Sequence, residues 1–250
     1  MSSSLPLTIG YSTLANRAKN IKFLNLVNNL VIVQNPEGTT TPTFADEVKV
    51  LELKNRGVAK SRNAAITNTN SVYLLFGDDD IQFNESGIES AISFLNANPN
   101  ISILLMQAVD ETGKLRKSYP IKGHDLKLTN SAKAATYEMM IRVSEIKVAG
   151  IKFDENFGAG ATNYLGDEYI FIADALRAGL KGKFEPIVIA THPIESSGNL
   201  RNSASDRRAR AKVFSRVFGI WSPIMRTLFL AKPPSKKFGP VNSLLFIVGK

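Results

Sequence analysis

Apolar residues in this chain gather into short continuous runs separated by polar stretches, which is how strands covered on both faces of a sheet read. Runs near Leu7 to Gly10, Leu30 to Gln34, Val48 to Leu53 and Val72 to Phe76 predict four strands, and Ile101 to Met106 predicts a fifth. Helical patterns fall between some of them. Ala59 to Thr67 is alanine-rich with basic residues on one face, and Glu85 to Asn96 places Ile88, Ala91, Ile92 and Leu95 at helical spacing, with Asn84 as N-cap and Pro99 just beyond. This alternation predicts an α/β fold with a Rossmann-like, mostly parallel central sheet flanked by helices.

The second half is less regular. From Asp110 to Lys127 the chain is polar and basic and predicts no more than loops or a short hairpin. A strand-like run at Tyr137 to Val143 leads into a short helix, and the glycines of the Ile151 to Gly160 segment predict a tight loop that lets backbone approach a ligand closely. A helix is expected to open at Gly166-Asp167-Glu168 and run to Gly179, its two acids in the positive first turn. A strand at Ile187 to Ala190 then delivers Thr191 and His192 to an edge.

The most telling stretch is Val72-Tyr73-Leu74-Leu75-Phe76-Gly77-Asp78-Asp79-Asp80, where an apolar run ends in three adjacent carboxylates. In an open α/β sheet the carboxyl end of a strand is where ligands bind. Crowded carboxylates repel, and a hard divalent cation such as Mg2+ or Mn2+, holding a substrate phosphate, relieves the repulsion. A solvated acidic turn is the alternative.

At 250 residues and 44% hydrophobic content the chain can bury a core, and its 11 prolines and 17 glycines are scattered rather than gathered in a linker. The absence of cysteine excludes a disulfide scaffold, a thiolate zinc site and cysteine nucleophile chemistry. The sequence from Met1 to Leu7 predicts neither a leader nor an anchor, hence a cytoplasmic location, and no window reaches the roughly 18 apolar residues of a membrane span. The formal charge is +9, but eleven basic residues against the single acid Asp206 lie from Arg201 onward, and upstream the signs nearly balance. A generally basic nucleic-acid binder is therefore not expected.

Three segments, Gly57-Val58-Ala59-Lys60-Ser61-Arg62-Asn63-Ala64-Ala65, the Phe76 to Asp80 strand end, and Phe153 to Gly160 followed by Gly166-Asp167-Glu168, together resemble the family-two glycosyltransferases of the GT-A fold. The resemblance covers roughly Leu7 to Gly198. It implies transfer of a sugar from a nucleotide-diphosphate donor to a glycan or lipid-linked acceptor, with Mn2+ or Mg2+ neutralising the leaving diphosphate. Asp80 and Asp78 match the metal-binding DxD positions, Asp78 also as a ribose contact, and Asp79 is a neighbour in the donor site. His192 matches a histidine that closes on the metal or phosphates, with a structural histidine as the alternative. Arg62 and Asn63 match an Arg-Asn pair facing the donor, while Lys60 reads as a solvated helix position and His124 as a surface residue. Gly10, Tyr11 and Ser12 border the nucleotide, and Gln34 stands where many relatives carry a uracil-reading aspartate. In inverting members a carboxylate at the helix start is the base; the usual Glu-Asp is reversed here, so Glu168 takes that position and Asp167 remains its rival.

The resemblance implies a catalytic domain over residues 1–200, with a nucleotide-binding half at 1–110 and an acceptor half at 111–200, and a basic amphipathic extension at 201–250. In that extension Arg207, Arg208, Arg210, Lys212, Arg216 and Arg226 are interleaved with Val213, Phe214, Val217, Phe218, Ile220, Trp221, Ile224, Met225, Leu228 and Phe229. It reads either as an interfacial segment on an anionic membrane surface or as a terminal helix packed on the domain. A nucleotidyltransferase, the nearest enzymatic rival, needs a glycine-rich basic loop, yet Gly10 to Lys19 holds one glycine with only Arg17 and Lys19. A sugar-nucleotide-binding module without catalysis predicts lost carboxylates, and here they are present.

Overall fold

Four parallel strands build one half of the sheet in the computed structural model, which describes residues 5–193, 204–231 and 239–250. They are β1 (Leu7–Leu14), β2 (Asn28–Gln34), β3 (Lys49–Leu53) and, after helix α1 (Val58–Asn68), β4 (Tyr73–Asp78), in the order β3-β2-β1-β4. All four point their carboxyl ends to one edge, and the register sets Gly10 beside Phe76 and Ser12 beside Asp78. Apolar residues fill both sides of these strands: Tyr73 and Leu75 enter one core with Ile9 and Tyr11, while Leu74 and Phe76 enter the other with Ile32. That two-sided burial is why β2 and β4 read as continuous apolar runs.

The chain continues through β5 (Gln82–Phe83), α2 (Glu85–Ala97), β6 (Ile103–Val109), β7 (His124–Asp125), β8 (Met139–Arg142), α3 (Val143–Val148), α4 (Asp167–Arg177) and β9 (Gly182–Thr191). Strand β8 lies antiparallel between β4 and β6, β6 runs parallel to β9, and β5 and β7 both pair antiparallel with β9. The parallel arrangement expected from the sequence thus holds for β1 to β4 and for β6 with β9. An apolar run encodes burial and not strand direction, so the antiparallel members were not apparent from it.

Helix α2 opens where expected, with Asn84 Oδ1 accepting the Gly87 N–H at 3.2 Å. Strand β9 begins five residues before its apolar run, because charged Lys183 and Glu185 alternate with Phe184 and Pro186 interrupts the ladder. There the Gln107 side chain donates to the Pro186 carbonyl at 3.1 Å, beside an irregularity in the β6–β9 register. The basic 110–127 segment starts as a tight hairpin, closed by Asp110 Oδ1, which accepts the N–H groups of Thr112 at 2.8 Å and Lys114 at 3.1 Å. His124 sits in β7 against the Phe184 ring.

Three more helices follow: α5 (Ala204–Phe218), α6 (Ser222–Ala231) and α7 (Pro240–Ile247). Val213 and Val217 of α5 pack on Phe157, Tyr169, Ile170 and Ala173, and Arg216 pairs with Asp154 at 2.9 Å and Asp174 at 2.7 Å. Arg226 is buried and donates to the carbonyls of Ala211 at 2.6 Å and Ile247 at 3.1 Å, and Arg207 donates to the Lys250 carbonyl at 3.0 Å. Arg207 and Arg226 fasten helix ends from inside, while Arg216 makes its pairs at the surface. The boundary expected at 200/201 and the Ile194 to Gly198 segment lie outside the described residues.

Helix α2 crosses β9 so closely that a Cβ on Gly87 would stand 2.2 Å from the Val188 carbonyl oxygen. Gly87→Ala is expected to lower the unfolding free energy by about 2 kcal/mol or more, measured by urea denaturation, since neither backbone can yield without opening the sheet edge.

Candidate functional site

The carboxyl ends of β1, β2 and β4, with the first turns of α1 and α4, surround one cleft edge. Gln34, the last residue of β2, donates to Ser12 Oγ at 3.1 Å and accepts the Gly57 N–H at 2.8 Å. Its amide therefore joins β1, β2 and the start of α1. Tyr11 is fully buried against Phe23 and Phe83, its hydroxyl donates to the Lys22 carbonyl at 3.3 Å, and burial pushes that hydroxyl's pKa up. Gly10 lets α1 approach β1: a Cβ there would meet Ala65 Cβ at 2.8 Å.

The three aspartates after Gly77 have three different environments. Asp79 is buried, accepts the Thr13 hydroxyl at 2.7 Å and is paired with Arg17. Asp78 lies 3.6 Å from Arg62, and Asp80 lies 3.6 Å from Arg17 with its side chain 37% exposed. Burial holds the pKa of Asp78 above the ordinary carboxylate value although Arg62 pulls it down, and it raises Asp79 against the opposing effects of Thr13 and Arg17.

Arg62 is buried in α1 and forms an ion pair with Asp167, the first residue of α4. Burial is the largest single influence on its pKa and lowers it, but Asp167, Asp78 and Glu168 together hold it above the usual arginine value. Gly166 precedes α4 with φ +87°, a left-handed conformation that side chains resist, and so brings Asp167 and Glu168 into the first turn facing α1. Glu168 is half-buried, and burial, followed by the charge and hydrogen bond of Asp167, pushes its carboxyl up to about 8.

Asn63 uses both ends of its amide on the backbone of Phe153, donating at 3.0 Å and accepting at 2.8 Å. This fixes the loop that follows, whose Ala159 carbonyl accepts the Val58 N–H at 2.9 Å. Gly158 allows that loop to pass Asp167, because a Cβ would lie 2.7 Å from the Asp167 carboxyl carbon.

At the other side of the cleft, β5 pairs Gln82 with Thr191, which brings His192 beside the Asp80 turn. The His192 ring lies on Tyr137 at 5.1 Å, and Nδ1 sits 2.8 Å from the Pro193 carbonyl. A carbonyl only accepts, so Nδ1 carries a proton toward it. Tyr137 is hydrogen-bonded by Arg116 and senses the charge of Asp78.

The structure brings Asp78, Arg62, Asp167 and Glu168 together, with Asp80 two residues past β4 beside Arg17, while His192 lies buried against Tyr137 next to the β5–β9 pairing. It engages Gln34, Asn63, Tyr11 and Asp79 in contacts within the protein. Sequence reasoning passed over Thr13, Arg17, Arg116 and Tyr137; the one available signal was the position of Thr13 and Arg17 at the end of the first strand.

Among the described residues no three histidine, aspartate or glutamate side chains converge as a ready-made metal cage. The carboxylates of Asp78 and Asp80 at the strand end are oxygen donors of the kind that suit a divalent cation whose remaining ligands are water and phosphate oxygens.

Residues 41–149 match the model of Glycosyl transferase family 2. The segment spans β3 to α3 and carries Arg62, Asn63 and the acidic edge of β4. S. aureus TarS shares the fold: its 1-349 structure in complex with UDP superposes with a TM-score of 0.57 at 13% identity, covering 96% of this chain and 69% of that one. The complex of TarS 1-349 with UDP-GlcNAc gives 0.58 at 13% identity, over 96% of this chain and 70% of that one. Against the longer TarS chain the score is 0.57 at 13% identity, and the match spans 96% of this chain and 42% of that one. A search of the curated proteins found no match.

The sheet and its flanking helices share the GT-A architecture of TarS. The family-two match covers residues 41–149, fewer than half of the 250 residues, and says what that stretch is similar to.

Because Arg62 compensates Asp167 and Asp78 at once, Arg62→Met is expected to destabilise the protein by about 3 kcal/mol at neutral pH in urea denaturation. The double variant Arg62→Met/Asp167→Asn should regain a large part of that loss, since it no longer buries an uncompensated carboxylate.

Proposed function

We propose that the protein moves a sugar from a nucleoside-diphosphate donor to an acceptor hydroxyl with inversion, using Glu168 as the base. The observation that carries this reading is the division of labour in the reversed acidic pair. Asp167 is buried and neutralised by Arg62, whereas Glu168 is half-exposed, beside the strand edge, with a raised pKa. A carboxylate whose pKa lies near neutrality is a better proton acceptor for a hydroxyl than one that titrates near 4. Glu168 takes the acceptor's proton, the acceptor oxygen attacks the anomeric carbon from the face opposite the diphosphate, and the bond from that carbon to the phosphate oxygen breaks. One displacement inverts the configuration.

In the donor half, Gly10, Ser12 and the Gln34–Gly57 junction shape the nucleotide edge, and Arg62 supplies fixed positive charge beside Asp78. Asp80 and Asp78, with His192 Nε2, are the side chains that would hold Mn2+ or Mg2+. The cation, when bound, neutralises charge on the departing diphosphate. TarS is known here in complex with UDP and UDP-GlcNAc, so UDP-sugars are the first donors to try.

The acceptor is proposed to be a glycan or lipid-linked sugar reached from a membrane surface. Among the described residues no helix is long and apolar enough to cross a membrane. Yet Ile220, Trp221, Ile224 and Leu228 around α6, with Val241, Leu244 and Val248 around α7, all expose more than half of their surface. Since Arg207 and Arg226 are buried and Arg216 is paired with Asp154 and Asp174, docking rests on apolar insertion, with anionic attraction by the exposed Arg208 and Lys212 second.

Glu168→Gln should leave the UDP-induced thermal shift in place and lower transfer by about 10²-fold or more. In the native enzyme kcat/KM should rise with pH until the Glu168 carboxyl, pushed up to about 8, is ionised, and then level off. Levelling near pH 5 would remove Glu168 from the role. For the membrane contact, native protein should co-sediment with anionic vesicles and retain most binding at high salt, while Trp221→Ser/Ile224→Ser releases it; failure of the native protein to sediment would refute docking.

A further inference from the structure

The turn after β1 places a basic side chain where the proposed metal edge needs none. Arg17 lies at the start of a short 3-10 turn (Ala18–Asn20), its side chain 50% exposed, and one guanidinium nitrogen is paired with Asp79 while standing 3.6 Å from Asp80 Oδ2. Asp79 is itself fixed, buried and bonded by the Thr13 hydroxyl at 2.7 Å. The buried aspartate therefore aims Arg17 at the exposed one. At 3.6 Å the Arg17–Asp80 contact is Coulombic, and both partners remain solvated, so it can be broken without leaving a buried charge.

We infer that Arg17 is a protein-borne cation that competes with a divalent metal for Asp80 and makes metal binding depend on an accompanying diphosphate. This rests on the reading of Asp80 as a metal ligand. A divalent ion on Asp80 would stand a few ångströms from the guanidinium, and the two positive charges repel. A diphosphate brought with the ion offers both cations a shared counter-charge, and Arg17 can turn from Asp80 to a phosphate oxygen while Asp79 keeps its anchor. By linkage the diphosphate then tightens metal binding and the metal tightens diphosphate binding by the same factor. Arg17 is thus a positioning residue for metal and donor rather than a catalytic one.

The experiment is calorimetric titration of Mn2+ into native protein, Arg17→Gln and Arg17→Lys, alone and with UDP, with melting temperatures as the check on folding. Arg17→Gln should bind Mn2+ alone about tenfold more tightly than native protein and gain less from UDP, while Arg17→Lys stays near native behaviour. Folded Arg17→Gln with native or weaker Mn2+ affinity overturns the inference and leaves the metal reading standing. No Mn2+ binding by any of the three, with or without UDP, overturns both.

Discussion

The buried guanidinium of Arg62 is the constraint on which the site depends. It comes from α1, and its partners come from the end of β4 and the start of α4. These elements are distant in sequence, and only one charge neutralises the acids between them. In a water-poor setting the guanidinium offsets the mutual repulsion of these acids, and removing it leaves buried carboxylate charge uncompensated. The guanidinium also lies 5.7 Å from the Phe153 ring, which stacks on Phe171 of α4 and meets Phe76 of β4 edge-on. The ionic junction is therefore backed by an aromatic one joining the same three elements, and Asn63, the next residue along α1, clamps the Phe153 backbone.

That junction explains why adjacent acids in sequence are not equivalent in chemistry. Asp167 and Glu168 share a first helical turn, yet one is neutralised inside the protein and the other is left with a carboxyl that gains protons easily. Likewise Asp79 turns inward to Thr13 and Arg17, whereas Asp78 and Asp80 stay at the rim. Three carboxylates at a strand end need not be three ligands. Here one of them organises basic charge around the others, and the paired acids differ enough in environment to hold separate roles.

How far the sequence could be read follows from what each signal encodes. The strands β1 to β4, helices α1, α2 and α4, and the acidic edge were legible because burial on both faces leaves continuous apolar runs and helix faces repeat with a fixed period. Strand direction was hidden, so the antiparallel sense of β8, expected as a strand within Tyr137 to Val143, was not foreseen, and neither were the short β5 and β7. Amide side chains were the poorest guide: Gln34 and Asn63 carry the same donors and acceptors whether they meet a nucleotide or a backbone, and only the folded chain brings Gly57 and Phe153 to their ends. Arg17 was visible as a residue but not as a neighbour of Asp80, since that proximity arises from the parallel pairing of β1 with β4.

The C-terminal helices were open to two readings from sequence, and packing bears on both. A Cβ on Gly166 would lie 2.5 Å from Val213 Cγ2, so α5 presses on the residue that turns the chain into α4. Arg216 then ties α5 to Asp174 within α4 and to Asp154 in the loop that passes Asp167. The helix that delivers Asp167 and Glu168 is thus held from one side by Arg62 and from the other by α5. Arg207 and Arg226, which look like part of a charged face in sequence, act as internal fasteners, while Arg208, Lys212 and Arg216 stay exposed together with the apolar residues around α6 and α7. A contact made there reaches the start of α4 through α6, α5 and Val213, an unbroken series of packed elements between an outer surface and the acidic pair.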